Sequence, residues 1–177
     1  MSIDIIILIL WSFFEAIFFP IPVDVIIVYL VKEKGYNPYF IAFLAVLFNT
    51  LGSLFGYKIG DIIGKNYKKK FQNWIKRKYN LNLEKIANER IINYLYFLST
   101  VSPLPQKVFA LISGYFKVNI YVFTIYTLIG RSIRFFLVSL LAQKLSWQII
   151  IILAILITLI YSILDRILYI YVLKRLK

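Results

Sequence analysis

The sequence predicts an all-α integral membrane protein in which two re-entrant helical hairpins face each other beside about three transmembrane helices, as an inverted repeat. The first observation is composition, because 61% of the 177 residues are hydrophobic and a soluble domain holds only about 45–50% apolar residues. The second is a pair of Pro-x-Pro turns in apolar sequence, Pro20–Pro22 and Pro103–Pro105. The third is a net charge of +13, since basic loops are typical of the cytoplasmic side of membrane proteins.

Composition also excludes several functions. The chain has no cysteine and no histidine, so neither a transition-metal centre nor histidine-based catalysis is expected. We expect no cofactor and no enzymatic activity. The positive charge is better explained by loops on anionic lipid than by nucleic acid, which is not an expected partner. The predicted location is the cell (cytoplasmic) membrane, which the chain crosses several times.

The first predicted hairpin covers residues 1–31, which are apolar except for Asp4, Glu15 and Asp24. Proline cannot continue a helix, because it lacks the backbone N–H and its ring clashes with the preceding turn. As one kinked helix the segment would be roughly 40 Å long and could span the membrane. As a hairpin broken at Pro20–Pro22, it would enter and leave at the same face. The residues of this segment alone leave both interpretations open.

Residues 39–63 form the first clear spanning helix. It carries four glycines at four-residue spacing, which places them on one face: Gly52, Gly56, Gly60 and Gly64. Such a face favours close helix packing. The alternative is a lipid-facing groove formed by the missing side chains.

Residues 65–90 are the most basic stretch, with aromatic and aliphatic residues at helical spacing. This pattern predicts an amphipathic pair of helices on the cytoplasmic membrane surface. The segment would act as an interfacial anchor, or it would recruit anionic lipid headgroups to the site.

Topology favours a second hairpin over residues 91–113. The basic stretch 65–90 and the C-terminal Lys/Arg cluster 174–177 should both be cytoplasmic. Two clear spans, 120–141 and 147–173, lie between them, so segment 91–113 has to return to the face it came from. By repeat symmetry, the first Pro-x-Pro turn is then also the tip of a re-entrant hairpin, which enters the membrane from the opposite face.

Charged residues lie close to both turns and inside the following span. Glu15 and Asp24 flank the first turn, Lys107 follows the second, and Arg131 and Arg134 share one helix face. Charges within a membrane usually face a polar cavity, although the arginines could instead snorkel to the surface. We therefore expect one mixed-charge cluster near the midplane.

Taken in order, these motifs resemble the DedA / VTT-domain (SNARE-associated) membrane protein family, and most closely its short YqaA-like branch. The resemblance covers roughly residues 10–145 and rests on five motifs: Phe14-Glu15-x4-Pro20-Ile-Pro22-x-Asp24, Gly52-Ser53-x2-Gly56-Tyr57-x2-Gly60-x3-Gly64, Ser102-Pro103-Leu-Pro105-x-Lys107, Ser113-Gly114-Tyr-Phe-Lys117 and Gly130-Arg131-x2-Arg134-Phe-Phe. It implies facing hairpins with essential acids and bases, and transport of lipids such as polyprenyl phosphate. Longer members carry an arginine pair around the second turn, where this chain has Lys107 and an upstream Thr100. Arg131 and Arg134 are the candidates to replace that charge.

The function predicted is a membrane lipid translocase or scramblase for anionic headgroups, either of polyprenyl phosphate or of phospholipid. Lys107, Arg131 and Arg134 would bind the headgroup, since cations hold phosphate. Burial favours the neutral form of a carboxyl group, so Glu15 or Asp24 would carry a proton; the alternative is static pairing with the bases. A proton-coupled small-solute or ion transporter and a non-transporting membrane assembly protein remain alternatives. The partners expected are membrane lipids, with protons and a second copy of the chain as further candidates.

Overall fold

A computed structural model of the chain describes residues 2–17, 22–79, 92, 96–97, 99–100 and 106–149. All regular structure among these residues is helical. The helices with complete bounds are α1 (Ile3–Ile17), α2 (Asp24–Lys32), α3 (Pro38–Asn66), α4 (Lys68–Tyr79), α5 (Gln106–Tyr115) and α6 (Ile120–Lys144). Residues 92, 96–97 and 99–100 are also helical.

The two long helices α3 and α6 begin at asparagine caps. The Asn37 side-chain oxygen accepts hydrogen bonds from the backbone N–H groups of Tyr39 (2.9 Å) and Phe40 (3.3 Å), and Pro38 follows at the first helical position. Asn119 caps α6 through the Tyr121 N–H at 2.9 Å. These caps satisfy N–H groups that the helix itself leaves without an acceptor.

Both long helices meet the length and composition of a membrane span. At 1.5 Å per residue, α3 is about 43 Å long and α6 about 37 Å, whereas the hydrocarbon core is about 30 Å thick. Each helix also leaves an apolar stripe uncovered: Phe43, Leu47, Leu51 and Phe55 on α3, and Ile125, Ile129, Ile133, Leu137 and Leu141 on α6. Stripes of this length are typical of surfaces that face lipid.

Helix α1 runs in the same direction as α3. The Ser2 hydroxyl lies 2.9 Å from the Tyr36 hydroxyl, just before α3 begins. Further along both helices, the Asn49 amide donates to the backbone oxygen of Ser12 at 3.1 Å. The start of α1 therefore lies beside the start of α3, and its end lies beside the middle of α3.

Helix α6 runs opposite to α3, because Tyr39 at the start of α3 packs near Phe136 late in α6, with ring centroids 6.2 Å apart. Helix α2 follows the direction of α6. Its first residue, Asp24, contacts Arg134, and its last residue, Lys32, donates to the Leu145 carbonyl just after α6 ends. Helices α1 and α2 are therefore antiparallel.

The second half of the chain repeats this pattern with exchanged partners. Helix α5 runs in the same direction as α3, because Gly60 lies against Leu111 and Gly64 lies against Tyr115. The helical residues just before α5 run in the same direction as α6, because Tyr96 stacks on Phe123 with centroids 4.3 Å apart and Thr100 lies against Gly130. The helical residues before α5 therefore run opposite to α5.

The basic helix α4 buries its apolar side against protein. Phe71 and Ile75 are buried in one cluster with Val108, Ile112 and Val118. Within the predicted helix pair over 65–90, this helix packs on α5 and on the α5–α6 turn. The lysine side chains that the structure describes on this helix and the Trp74 side chain remain exposed.

Some bounds differ from those expected. Helix α3 continues from the predicted end at 63 to Asn66 and so includes Lys65, which pairs with Asp61 at 2.8 Å one turn earlier. Helix α6 continues to Lys144. Residues 80–90 and most of the predicted span 147–173 lie outside the described residues, as does the C-terminal cluster.

Candidate functional site

Charged side chains from α1, α2, α5 and α6 converge at the middle of the two long helices. Glu15 lies near the end of α1, Asp24 begins α2, and Lys107 is the second residue of α5. Arg131 and Arg134 lie one turn apart near the middle of α6. The structure therefore brings all five charged residues singled out in the sequence to one level of the helix bundle.

Glu15 and Arg131 form the deeper pair. An Arg131 guanidinium nitrogen lies 3.9 Å from Glu15 Oε2, and the two side chains are 3% and 13% exposed. The same Oε2 accepts a 2.6 Å hydrogen bond from the Asn49 amide of α3. The guanidinium also lies 5.3 Å from the centroid of the Phe135 ring. Arg131 is thus turned into the bundle, away from the membrane surface.

Asp24 and Arg134 form the shallower pair. Arg134 donates to both carboxylate oxygens, from Nε at 3.3 Å and from a terminal nitrogen. The Arg134 side chain is 18% exposed and the Asp24 side chain is 21% exposed. Asp24 also lies in the first turn of α2, where the helix dipole favours a negative charge. A bidentate pair in this position fixes the start of α2 against α6.

Lys107 is half-buried and belongs to the same electrostatic environment. The charges that act on it most are those of Glu15 and Arg131. The cluster therefore holds two carboxylates and three cations, and its balance is positive.

Neutral polar groups surround the deeper pair. The Gln106 amide donates to the Ser53 hydroxyl at 3.3 Å, and that hydroxyl donates to the backbone carbonyl of Asn49 at 2.9 Å. The Tyr96 and Thr127 hydroxyls are 2.5 Å apart. Hydrogen bonds thus connect Gln106, the first residue of α5, through Ser53 and Asn49 to the Glu15 carboxylate.

Close backbone contacts hold this arrangement in place. A Cβ atom on Gly52 would overlap the backbone of Phe13, and one on Gly60 would overlap the backbone of Leu111. At Gly56 the nearest atom would be the Ala110 Cβ at 3.7 Å, an ordinary contact. The glycine face of α3 is therefore divided between α1 and α5.

A family model described as the VTT domain matches residues 19–144 of the chain. The chain belongs to the VTT-domain family. This match begins before α2 and ends at the last residue of α6, so it contains four of the five clustered charges, while Glu15 precedes it. The VTT-domain protein is accordingly a membrane protein, with two helices able to span the bilayer.

The chain also has a curated relative. The VTT-domain protein is 32% identical over 133 residues to an uncharacterised protein of Haemophilus influenzae, and the alignment covers 74% of this chain and 68% of that protein. No solved structure gives a significant match to the VTT-domain protein.

The proline turns of the VTT-domain protein are only partly described. Pro22 is exposed, and its carbonyl accepts a 3.4 Å hydrogen bond from the Val25 N–H at the start of α2. Pro20, Pro103 and Pro105 lie outside the described residues. What the structure describes is the helices on either side of the first turn and the helix that follows the second.

Sequence reasoning missed two neutral residues of the site, Asn49 and Gln106. Both are buried, at 0% and 5% exposed. Asn49 is an amide inside an apolar span, which is the same signal that made the charged residues stand out. Gln106 directly precedes Lys107, and nothing in its own sequence context distinguishes it from any polar residue next to a turn.

Proposed function

We propose that this VTT-domain protein is a translocase or scramblase that moves lipids with anionic headgroups across the bilayer. The observation that carries the proposal is Arg131, a guanidinium 3% exposed at the middle of a spanning helix. A buried charge in a membrane segment is costly and is typically retained for a functional reason. The Nε atom of Arg131 has no hydrogen-bond partner in the described part of the chain.

Phosphate chemistry suits this cluster better than that of a cation or a neutral solute. Arg131, Arg134 and Lys107 outnumber the two carboxylates, so an anion would balance the site. Arginine offers planar donors that match phosphate oxygens, and lysine adds a mobile point charge. In this proposal the headgroup binds Arg131 and Lys107, while Arg134 holds α2 through Asp24.

The path would be formed by two re-entrant hairpins in an inverted repeat. Helices α1 and α2 are about 22 Å and 13 Å long, and each is shorter than the roughly 30 Å hydrocarbon core. Their opposite directions support a hairpin that enters beside the start of α3. The opposite directions of the residues before α5 and of α5 itself support a second hairpin from the other end. The exchange of partners between α3 and α6 is what an inverted repeat requires.

Cysteine labelling tests this topology without interference, because the natural chain has no cysteine. Four exposed positions serve as reporters, and each receives one cysteine in turn: Ser2, Lys34, Lys69 and Tyr121. We expect an impermeant thiol reagent to label the first two from one face of the membrane and the last two from the cytoplasmic face. The same reporters labelled after solubilisation control for reactivity. Labelling of Ser2 and Lys34 from opposite faces would eliminate the first hairpin, and a split between Lys69 and Tyr121 would eliminate the second.

Transport itself is tested in proteoliposomes that carry fluorescent polyprenyl phosphate or fluorescent phospholipid, with and without a pH gradient. We expect wild-type protein to move at least one of these lipids. If Glu15 or Asp24 carries a proton, Glu15→Gln or Asp24→Asn removes the effect of the gradient while lipid binding persists. If both amide variants respond to the gradient as wild type does, the acids serve as static partners of the bases.

Two outcomes would favour other functions. Movement of a small ion or solute without lipid movement would favour a proton-coupled solute transporter. Normal cell growth with Arg131 and Lys107 both neutralised would favour a membrane assembly role. Neither outcome is expected from a cluster in which the buried arginine lies at mid-span.

A further inference from the structure

Three buried side chains at the Glu15–Arg131 pair each keep one polar atom without a partner. These atoms are Asn49 Oδ1, Gln106 Oε1 and Arg131 Nε, and nothing in the described part of the chain bonds to them. The three residues are 0%, 5% and 3% exposed. Buried polar atoms in folded proteins almost always have a partner, so these three atoms are available to a bound water or to a ligand.

Hydrogen bonds within the site orient both amides. The Asn49 nitrogen donates to the Ser12 carbonyl and to Glu15, so rotating this amide would turn its oxygen toward two acceptors. The Gln106 nitrogen donates to the Ser53 hydroxyl, whose own proton goes to the backbone carbonyl of Asn49. In this arrangement the side-chain oxygens of Asn49 and Gln106 are the acceptors left without a donor.

These acceptors and the arginine belong to one site. Glu15 Oε2 bonds Asn49 and lies 3.9 Å from Arg131. The Tyr96 hydroxyl lies beside Gln106 and Ser53 and within electrostatic reach of Arg131. The site thus presents a cationic donor together with two neutral carbonyl acceptors. A plain phosphate diester would satisfy the donor alone.

We propose that the bound headgroup carries both an anionic phosphate and a hydrogen-bond donor of its own, and that Gln106 is the residue that recognises this donor. This inference rests on the proposed function. The donor is an ammonium N–H, as in ethanolamine, or the P–OH group of a phosphate monoester. A choline headgroup has the same phosphate and the same charge as an ethanolamine headgroup but no N–H. It therefore leaves the side-chain carbonyls of Asn49 and Gln106 without a partner.

A methylation series of one lipid isolates this donor. Acyl-labelled phosphatidylethanolamine and its mono-, di- and trimethylated forms keep the phosphate and the positive charge while the number of N–H donors falls to zero. We expect the transport rate in proteoliposomes to fall along the series, with the ethanolamine lipid preferred to the choline lipid by roughly tenfold, since leaving buried acceptors unpaired is costly. Equal and measurable rates for all four lipids would overturn the proposal, whereas no transport of any of the four would exclude the ammonium donor and leave the P–OH of a monoester to the binding measurement below.

The Gln106→Met variant tests the assigned residue, because methionine keeps the length and apolar bulk but has no carbonyl. We expect the preference for ethanolamine over choline to shrink several-fold, mainly through slower transport of the ethanolamine lipid. Gln143→Met is the matched control, since Gln143 is an exposed glutamine on α6, and it should keep the full preference. A Gln106→Met protein with an unchanged preference would exclude this role for Gln106.

A binding measurement separates this inference from the proposed function. Thermal stabilisation of the detergent-solubilised protein is recorded with dihexanoyl phosphatidylethanolamine, phosphatidylcholine and phosphatidic acid. Stabilisation by the ethanolamine lipid but not by the choline lipid supports the inference even if no lipid is transported. Stabilisation by phosphatidic acid alone assigns the donor to the P–OH of a monoester. Equal stabilisation by all three lipids would contradict the inference even where transport is observed.

Discussion

Replacing Gly60 with alanine is expected to prevent α3 and α5 from packing. The added Cβ would lie 2.9 Å from the carbonyl carbon of Leu111 and closer still to its oxygen. The obstructing atoms are backbone, so the two helices have to move apart, at a cost of roughly 3 kcal/mol or more. We expect little monodisperse protein in detergent and a strongly lowered thermal unfolding midpoint.

The matched control is Gly56→Ala, one turn earlier on the same helix. Both substitutions raise helix propensity by about 1 kcal/mol. At Gly56 the new Cβ only touches the Ala110 Cβ at 3.7 Å, so this variant should be as stable as wild type or more stable. If the two variants are equally stable, α3 and α5 do not approach each other at Gly60 as described.

The second large effect is expected from Arg131→Met. Methionine fills much of the space but leaves the Glu15 carboxylate and the Asn49 amide in a buried site without the cation. Removing one partner of a buried ion pair typically costs about 3–5 kcal/mol. We expect Arg131→Met to lower the unfolding midpoint and to abolish lipid transport.

The double variant Arg131→Met with Glu15→Gln separates stability from transport. Neutralising both partners removes the unpaired charge, so we expect most of the lost stability to return. Transport should stay absent, because the guanidinium that we propose to bind the anionic headgroup is still missing. Recovery of transport in the double variant would show that Arg131 serves only to balance Glu15.

Much of the helical framework could be predicted from the sequence. The apolar runs gave the spans over 39–63 and 120–141, and the structure extends them to Pro38–Asn66 and Ile120–Lys144. Helix ends moved by a few residues because Lys65 and Lys144 lie in the last turns, where a cation suits the helix dipole. Charges inside an apolar segment also pointed to the site, because such groups are rare there.

The pairing of those charges could not be predicted. Any of the three bases could have met Glu15 or Asp24, since all are close to a turn or at mid-span. The choice follows from packing: α2 lies along α6 and brings Asp24 to Arg134, while α1 lies along α3 and leaves Glu15 to Arg131. Helix partners are a tertiary property that no local pattern in the sequence contains.

The protein contacts of α4 could not be predicted for a related reason. Its basic and aromatic spacing is typical of an interfacial helix. The same spacing also suits a helix whose apolar side is covered by protein, and Phe71 and Ile75 do bury against the α5 region. Hydrophobic periodicity identifies the buried side of a helix but not what buries it.

The pairing of Glu15 and Asp24 with arginines of α6 has a consequence for biosynthesis. While the ribosome is still translating the residues before α6, α1 and α2 have emerged without the arginines that pair with Glu15 and Asp24. Two carboxylates in an apolar segment are costly to insert alone. Helix α2 therefore meets its partner only after some 110 further residues have been synthesised, the separation between Asp24 and Arg134. We therefore expect the insertion machinery to shelter the two carboxylates until Arg131 and Arg134 have been synthesised.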